Sequence, residues 1–261
     1  MEQYLCIELL LGKEKLKKLH DSFVTVIGLG AVGSYATEAL ARAGVGRLRL
    51  VDFDIIKPTN INRHIYALHS TVGKHKVALG KERIHGINPA CKVEALELFA
   101  ADDSMDRIFD ETPNLVIDAI DSMTPKSQVL AACQRRGIPV ISSMGAAMRT
   151  DPFAIKTADL FDTKGCPLAQ CMRQKLRKEG IGRGIFCVYS DQPKLRAFAP
   201  PEIAEAEMTY DRGRKRNKLG SLPTVTGMFG LIVGHCAIEY LSGGFRHEKD
   251  ASGNIRHLNR K

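Results

Sequence analysis

The sequence predicts an α/β protein built on a doubly wound, Rossmann-like and mostly parallel sheet, with a mixed carboxyl-terminal extension. An apolar, β-branched run at residues 24–27 leads into the turn Gly28-x-Gly30-x-x-Gly33, as a buried parallel strand leads into a helix. Apolar runs and amphipathic segments then alternate as far as residue 142, which is typical of repeated βαβ units. With 261 residues, 44% of them hydrophobic, the chain is long enough to bury a sizeable core.

The first half of the chain supplies the βαβ series. It opens with an amphipathic helix over residues 5–19, which Gly12 interrupts. The helix after the glycine turn, residues 31–43, ends before Gly44, a residue suited to the left-handed position that follows a helix. The other elements predicted here are strand 48–51, helix 73–85, strand 93–98, short helix 103–109, strand 115–120, helix 124–136 and strand 138–142.

The pattern changes after residue 150. The elements predicted there are strand 153–157, basic helix 168–178, strand 184–190 and apolar helix 224–241. Residues 192–219 are rich in proline and basic residues and poor in apolar ones, so we expect this segment to be mobile when nothing is bound.

Charge and cysteine content narrow the class of protein. The formal net charge of +9 favours a polyanionic partner such as RNA or a nucleotide, although a basic enzyme without such a partner has the same composition. The seven cysteines are scattered without regular spacing, which is typical of reduced thiols in a cytosol. The sequence contains neither an uninterrupted apolar run of about 18 residues nor an amino-terminal signal pattern. We therefore expect a cytoplasmic protein without a membrane span.

The glycine turn predicts an anion site. Its glycines let the backbone turn tightly, and the free N–H groups and positive dipole end of the next helix attract phosphate. The turn alone does not distinguish a nicotinamide or flavin cofactor from another phosphate-bearing ligand.

Polar side chains follow the ends of the predicted strands, where a sheet of this kind binds its ligands. They are Asp52 and Asp54 after the second strand, Asn60, Asn62, Arg63 and His64 in the next loop, Lys76 in the first turn of the next helix, and Asp121 after the fourth strand. An acidic residue at the end of the second strand accepts hydrogen bonds from a ribose. A lysine at a helix amino terminus opposes the dipole, which suggests a phosphate contact. Taken singly, Arg63 and Lys76 are explained as solvated charges and Asp121 as a helix cap, so the ordered set carries the interpretation.

This ordered set resembles the E1-like adenylating family, which activates ubiquitin-like proteins and sulfur carriers. The resemblance runs from residue 10 to residue 241. It implies ATP and Mg²⁺ as cofactors, because cleaving ATP between its α- and β-phosphates needs cations on the phosphates and a carboxylate for the metal. By motif position, Arg63 and Lys76 would bind the phosphates and Asp121 would hold Mg²⁺, as the three catalytic residues. The implied nucleotide-binding set comprises Gly28, Gly30, Gly33, Asp52 at the ribose, Asp54, Asn60, Arg63, Lys76 and Asp121.

The second half indicates a branch of this family. Protein-activating members carry paired Cys-x-x-Cys motifs for zinc, whereas Cys166 and Cys171 have another spacing and no downstream pair, so we expect no structural zinc. The segments around Pro167-Leu168, Val188-Tyr189-Ser190 and Gly220-Ser221 resemble the branch that dehydrates N6-threonylcarbamoyladenosine in tRNA. The implied reaction is carboxylate adenylation by ATP, followed by ring closure and release of AMP. Adenylation of a ubiquitin-like sulfur carrier is the alternative, and a non-catalytic dinucleotide-binding protein is a second one.

The resemblance also implies partners. Basic residues would neutralise tRNA phosphates, although a solvated basic face is the plainer interpretation. These candidates are Arg173, Arg177, Lys178, Arg214 and Arg216. A homodimer is implied as well, and a sulfur-transfer protein is open as a further partner. The chain is thus interpreted as one adenylating domain over residues 1–261: a helical arm at 1–22, a nucleotide-binding core at 23–150, an extension for substrate, tRNA and dimer contacts at 151–243, and a tail at 244–261.

Two cysteines raise separate questions. Many family members have an arginine at the position of Cys6, which reaches into the ATP site of the partner subunit, so the resemblance does not extend to that contribution. Cys187 lies in a predicted strand and is a possible nucleophile, although a single buried cysteine usually serves packing. The reaction does not require one, because attack on the anhydride is intramolecular.

Overall fold

One seven-stranded sheet organises the protein. The computed structural model describes residues 2–193, 195 and 219–244, and the backbone of two further strands within 246–258. The sheet has the order β3-β2-β1-β4-β5-β7-β6, and among its neighbouring pairs only β6–β7 is antiparallel. The strands are β1 Phe23–Ile27, β2 Arg47–Val51, β3 Lys92–Leu96, β4 Leu115–Asp118, β5 Val140–Ser143, β6 Ile155–Asp159 and β7 Phe186–Ser190. The predicted Rossmann-like sheet with a mixed extension is confirmed.

Helices cover both faces of this sheet. They are α1 Leu5–Leu11, α2 Lys13–His20, α3 Ala31–Arg42, α4 Lys76–Ile87, α5 Met105–Ile108, α6 Met123–Arg135, α7 Pro167–Lys178 and α8 Pro223–Ser242. One apolar cluster joins the sheet to α3, α4 and α8, and a second joins it to α5, α6 and α7. The order of the strands reverses between β1 and β4, where Ile27 pairs with Asp118. Ligands bind such folds outside the carboxyl ends of the strands at this reversal, and we call that place the crevice.

Helix α8 belongs to the core. A Cβ atom on Gly230 would lie 2.4 Å from the carbonyl oxygen of Val32, and one on Gly234 would lie 2.8 Å from the Cβ of Ala39. Glycine at both positions therefore lets α8 lie directly against α3. The helix is long and apolar enough to span a membrane, but 56% of its most apolar stretch is buried within the fold, as in a core helix.

Three local features refine the sequence predictions. The entry helix is broken at Gly12, where φ is 84°, as expected. Helix α4 begins at Lys76 and not at residue 73, because Gly73 turns the chain with a φ of 84° and His75 bridges to Ile55. The segment expected to be a tail contains an antiparallel pair, β8 Arg246–Lys249 and β9 Ile255–Leu258, whose mostly polar sequences do not resemble that of a buried strand. Most of segment 192–219, expected to be mobile, lies outside the described residues.

Candidate active site

Each glycine of the turn has its own steric role. Gly28 has a φ of 90°, and a Cβ there would lie 2.9 Å from the carbonyl group of Ala119. A Cβ on Gly33 would lie 1.8 Å from the carbonyl oxygen of Gly28, so α3 packs against the turn only without a side chain. A Cβ on Gly30, in contrast, would meet no protein atom within 4 Å. Gly28 and Gly33 therefore serve the fold, whereas Gly30 keeps the approach to the start of α3 open.

Two buried side chains fix the turn through Leu29. The backbone N–H of Leu29 donates to Oδ2 of Asp52 at 2.7 Å. Its carbonyl oxygen accepts from Nε2 of His64, since Nδ1 of that ring accepts the N–H of Tyr66 at 3.1 Å. Burial, helped by the positive charge of Lys76, lowers the pKa of His64 to about 4. The ring is therefore neutral at pH 7 and carries its proton on Nε2.

Asp52 and Asp54 hold Lys76 at the rim of the crevice. The Asp52 carboxylate is 8% exposed and also accepts the N–H of Asp54 at 2.8 Å. Burial raises the pKa of Asp52, and the nearby Lys76 charge opposes that shift. The Lys76 ammonium lies 2.7 Å from Oδ2 of Asp54, and the Lys76 N–H donates to the Asp54 carbonyl at 3.1 Å. A buried cation is thus held beside the glycine turn by groups of opposite charge.

Arg63 and Asp121 form the other side of the crevice. The guanidinium of Arg63 donates to the carbonyl oxygen of Thr59 at 2.8 Å and to Oδ1 of Asn62 at 2.9 Å. Burial lowers the pKa of Arg63, and the charge of Asp121 opposes that shift, so the two side chains are electrostatic neighbours. The Asp121 side chain itself is exposed. Oδ1 of Asn60 accepts the N–H of Lys57 at 3.1 Å and thereby shapes the loop that carries Arg63.

The predicted tRNA-binding residues of α7 lie elsewhere. Asp159 pairs with Phe186, the first residue of β7, so Leu160 and Phe161, directly after β6, lie at the amino edge of the parallel strands, opposite the crevice. There the Arg177 guanidinium covers the ring of Phe161 at 5.3 Å, beside a cavity of about 500 Å³ that Arg183 also lines. Lys178 is exposed nearby, and we call Arg177, Lys178 and this cavity the α7 surface.

The other predicted tRNA-binding residues have a structural role or lie outside the described residues. Arg173 turns inward and donates to the carbonyl oxygen of Thr163 at 3.0 Å, which secures the turn before α7. Arg214 and Arg216 lie outside the described residues.

Cys187 is not placed to act as a nucleophile. It is fully buried in β7, its thiol points to the carbonyl oxygen of Ile185 at 3.8 Å, and burial raises its pKa well above the usual value. A substrate could not reach this sulfur, and a thiolate is not favoured there. Cys187 therefore serves the packing of β7 and not catalysis.

Two residues of the site were missed by sequence reasoning. In the sequence, His64 is only one member of a polar loop, yet its ring fixes the glycine turn. Lys126 carries no motif signal, yet its ammonium forms a fully buried ion pair with Asp118 at 2.7 Å, directly below the crevice. The signal for Lys126 was its position on α6 in line with the buried Val129, Leu130 and Cys133.

The crevice combines an open helix amino terminus with two cations and an exposed carboxylate. Backbone N–H groups and cations together bind a phosphate chain, as in other nucleotide sites. Within the described part of the chain, no three His, Cys, Asp or Glu side chains form a metal-binding cluster. Asp121 alone is nevertheless a suitable donor for Mg²⁺, which binds through one or two carboxylates together with the phosphates of a nucleotide and water. The donor set therefore fits a metal that arrives with a nucleotide.

Comparisons with known proteins agree with this arrangement. The chain is 41% identical over 244 residues to the tRNA threonylcarbamoyladenosine dehydratase of Bacillus subtilis, covering 92% of this chain and 95% of that protein. The solved structure of Escherichia coli tRNA N6-threonylcarbamoyladenosine dehydratase in complex with ATP superposes with a TM-score of 0.82 at 32% identity, covering 93% of this chain and 95% of that one. Molybdopterin-synthase adenylyltransferase of Salmonella typhimurium is 36% identical, but over 54% of each chain.

The family follows from the extent of these matches. The model of the ThiF family matches residues 2–260, which is nearly the whole sequence. The glycine turn, the cations of the crevice and the reversal of strand order all fall within that range. This chain belongs to the ThiF family.

Proposed function

We propose that this protein is an ATP-dependent tRNA threonylcarbamoyladenosine dehydratase, which activates the carboxylate of the modified nucleoside by adenylation. The observation that carries the proposal is a crevice with open backbone N–H groups, two cations and a carboxylate, in a chain that matches a dehydratase of that name over 92% of its length. The molybdopterin-synthase adenylyltransferases share only about half of the chain, 54%. The extension beyond the nucleotide-binding core therefore favours the tRNA substrate over a carrier protein.

The residues of the crevice have separate tasks in this reaction. The open approach at Gly30 lets the backbone contact the triphosphate, and the Asp52 carboxylate keeps the turn in place at the side where the ribose would bind. Lys76 and Arg63 stabilise the negative charge that develops on the phosphates as the substrate carboxylate oxygen attacks the α-phosphorus and pyrophosphate leaves. An atom of the carbamoyl group in the same modified nucleoside then attacks the activated carboxyl carbon and loses a proton, and AMP leaves with the former carboxylate oxygen. The proximity of the carbamoyl group replaces a protein nucleophile.

Mg²⁺ is the proposed metal, and Asp121 is the residue that would hold it. When bound, the metal supplies positive charge to the phosphates and so favours departure of pyrophosphate. Arg63, the electrostatic neighbour of Asp121, orients the phosphates against that side of the crevice.

The proposed macromolecular partners also contact surfaces away from the crevice. Exposed cations on the α7 surface would attract tRNA phosphates. A second copy of the chain is the proposed partner of α8, because the apolar Met228 and Leu231 are 39% and 45% exposed about one turn apart on a helix whose other side packs in the core. A sulfur-transfer protein is a further proposed partner, which co-purification tests. With tRNA and ATP as substrates, we expect the protein in the cytoplasm.

A labelled-nucleotide assay tests the proposed function. The purified chain is incubated with Mg²⁺, ATP labelled at the α-phosphate, and tRNA that carries threonylcarbamoyladenosine. We expect labelled AMP and, by mass spectrometry of the nucleosides, loss of one water from the modified adenosine. Unmodified tRNA is the control and should yield neither product.

The assay also separates the alternatives. Formation of ADP, or AMP without a change in the nucleoside, overturns the proposal. Exchange of pyrophosphate into ATP that requires a sulfur-carrier protein and not tRNA would identify the carrier-activating alternative. Preferential binding of NAD over ATP would identify a dinucleotide-binding protein.

A further inference from the structure

A fully buried ion pair lies under the crevice. The Lys126 ammonium and the Asp118 carboxylate are 2.7 Å apart, and both side chains are 0% exposed. Oδ2 of Asp118 also accepts the hydroxyl of Ser142 at 2.6 Å. Removing two charges from water is costly, and apolar residues of similar volume often serve stability as well or better. A contribution to stability therefore does not by itself explain why these two charges are buried.

The same two side chains form hydrogen bonds with both backbone groups of Ile120. Oδ1 of Asp118 accepts the N–H of Ile120 at 3.1 Å, and the Lys126 ammonium donates to the Ile120 carbonyl oxygen at 2.9 Å. Ile120 directly precedes Asp121. The preceding residue, Ala119, is the one whose carbonyl group approaches Gly28 of the glycine turn. The ion pair thus fixes the peptide that joins the turn to the exposed carboxylate.

We propose that Lys126 is a positioning residue, which with Asp118 holds Asp121 where it meets the metal and phosphates of the bound nucleotide. This inference rests on the role of Asp121 in the proposed function. Fixing the peptide on both sides of Ile120 restricts the backbone of the adjacent Asp121, whose side chain is exposed. Groups that orient a metal ligand typically change metal affinity about 10- to 100-fold when removed.

The test uses Mn²⁺ as a paramagnetic substitute for Mg²⁺, with its binding to the protein–ATP complex measured by electron paramagnetic resonance. The double variant Asp118→Asn/Lys126→Met removes both charges without leaving one unpaired. We expect its Mn²⁺ dissociation constant to rise about tenfold. We expect its dissociation constant for ATP without metal to stay within about threefold of the wild-type value, because the contacts of the turn remain.

A cycle with Asp121→Asn separates positioning from a general effect on the fold. If Lys126 acts through Asp121, the triple variant binds Mn²⁺ no more weakly than Asp121→Asn alone, because the effects of residues in one network are not additive. Glu38→Gln/Arg83→Met is the control, since it removes an ion pair of 2.9 Å between α3 and α4, together with the contact of Glu38 with the exposed Arg42, away from the crevice. We expect the control to lower thermal stability and to leave Mn²⁺ binding unchanged.

The outcomes distinguish this inference from the proposed function. If Asp121→Asn leaves Mn²⁺ binding unchanged, the proposed metal role of Asp121 fails, and the inference fails with it. If Asp121→Asn weakens binding but Asp118→Asn/Lys126→Met does not, only the inference is overturned. Should the double variant not fold, Ser142→Ala loosens Asp118 without removing a charge. A rise in the Mn²⁺ dissociation constant then supports the inference, and an unchanged value overturns it.

Discussion

The two edges of the sheet carry positive charge in opposite ways. In the crevice, Lys76 is buried against Asp54, and Arg63 is held by its own loop. On the α7 surface, at the other edge, Arg177 and Lys178 are exposed to solvent, and the Arg177 side chain rests on an aromatic ring. Buried and oriented charges act through position, whereas exposed charges act through a field that salt screens. The same residue types therefore indicate chemistry at one edge and attraction of a polyanion at the other.

The largest effect is expected from Arg63→Ala, which tests whether crevice charges act through position. We expect the rate of adenylation to fall by about 10²- to 10³-fold, because an oriented charge on the phosphates is lost. The loop contacts of Arg63 with Thr59 and Asn62 contribute little to the sheet, so thermal stability should be retained. Arg135→Ala, which removes a surface cation paired with Glu179 at 2.7 Å, is the control. Equal activity of the two variants would remove Arg63 from the reaction.

Gly30→Ala tests whether the phosphates of ATP bind close to the backbone of the crevice, without changing a charge. The new methyl group meets no protein atom within 4 Å, so the melting temperature should be unchanged while a bound phosphate loses its close approach to the backbone. We expect ATP affinity to fall by at least about tenfold, equivalent to about 1.4 kcal/mol. Titration calorimetry measures this change, with Gly182→Ala, another open glycine, as the control. Undiminished ATP binding by Gly30→Ala would place the phosphates away from the turn.

His64 makes the stability of the fold around the crevice depend on pH. Its pKa is about 4 in the folded protein and about 6.5 when unfolded, so between these values the unfolded chain binds more protons. The contribution of the neutral, buried His64 to the free energy of unfolding is therefore fully present above pH 6.5 and is lost as the pH falls towards 4. By linkage, this loss is about 2 kcal/mol at pH 5.

Urea unfolding at pH 7 and pH 5 measures the difference. His64→Gln cannot be charged and should lose about 2 kcal/mol less than the wild-type protein between these pH values. His69→Gln, at an exposed position, should behave like the wild type. Identical pH dependence in all three proteins would mean that His64 is charged in the folded state.

The sequence predicted the elements of the crevice better than the contacts between them. The strands and the glycine turn follow from local patterns, and the ordered polar residues do converge at the reversal of strand order. The contacts of His64 with Leu29 and of Lys126 with Asp118 join residues that are apart in the chain. No local pattern encodes such pairing. For the α7 surface, the local pattern predicts a basic helix. It does not predict the edge of the sheet at which the charges of that helix lie.

The smallest effect is expected at that edge, from Arg177→Ala/Lys178→Ala. If these side chains contact tRNA phosphates, the slope of log affinity against log salt concentration should become shallower by about 1 for each cation removed. The maximal rate at saturating tRNA should not change, because the crevice is untouched. Lys13→Ala on α2, which is 89% exposed, is the control for a general loss of positive charge. An unchanged salt slope would show that tRNA does not reach the amino edge. Recognition of tRNA would then depend on the carboxyl edge of the sheet. The exposed charges of the amino edge would take no part in it, unlike the oriented charges of the crevice.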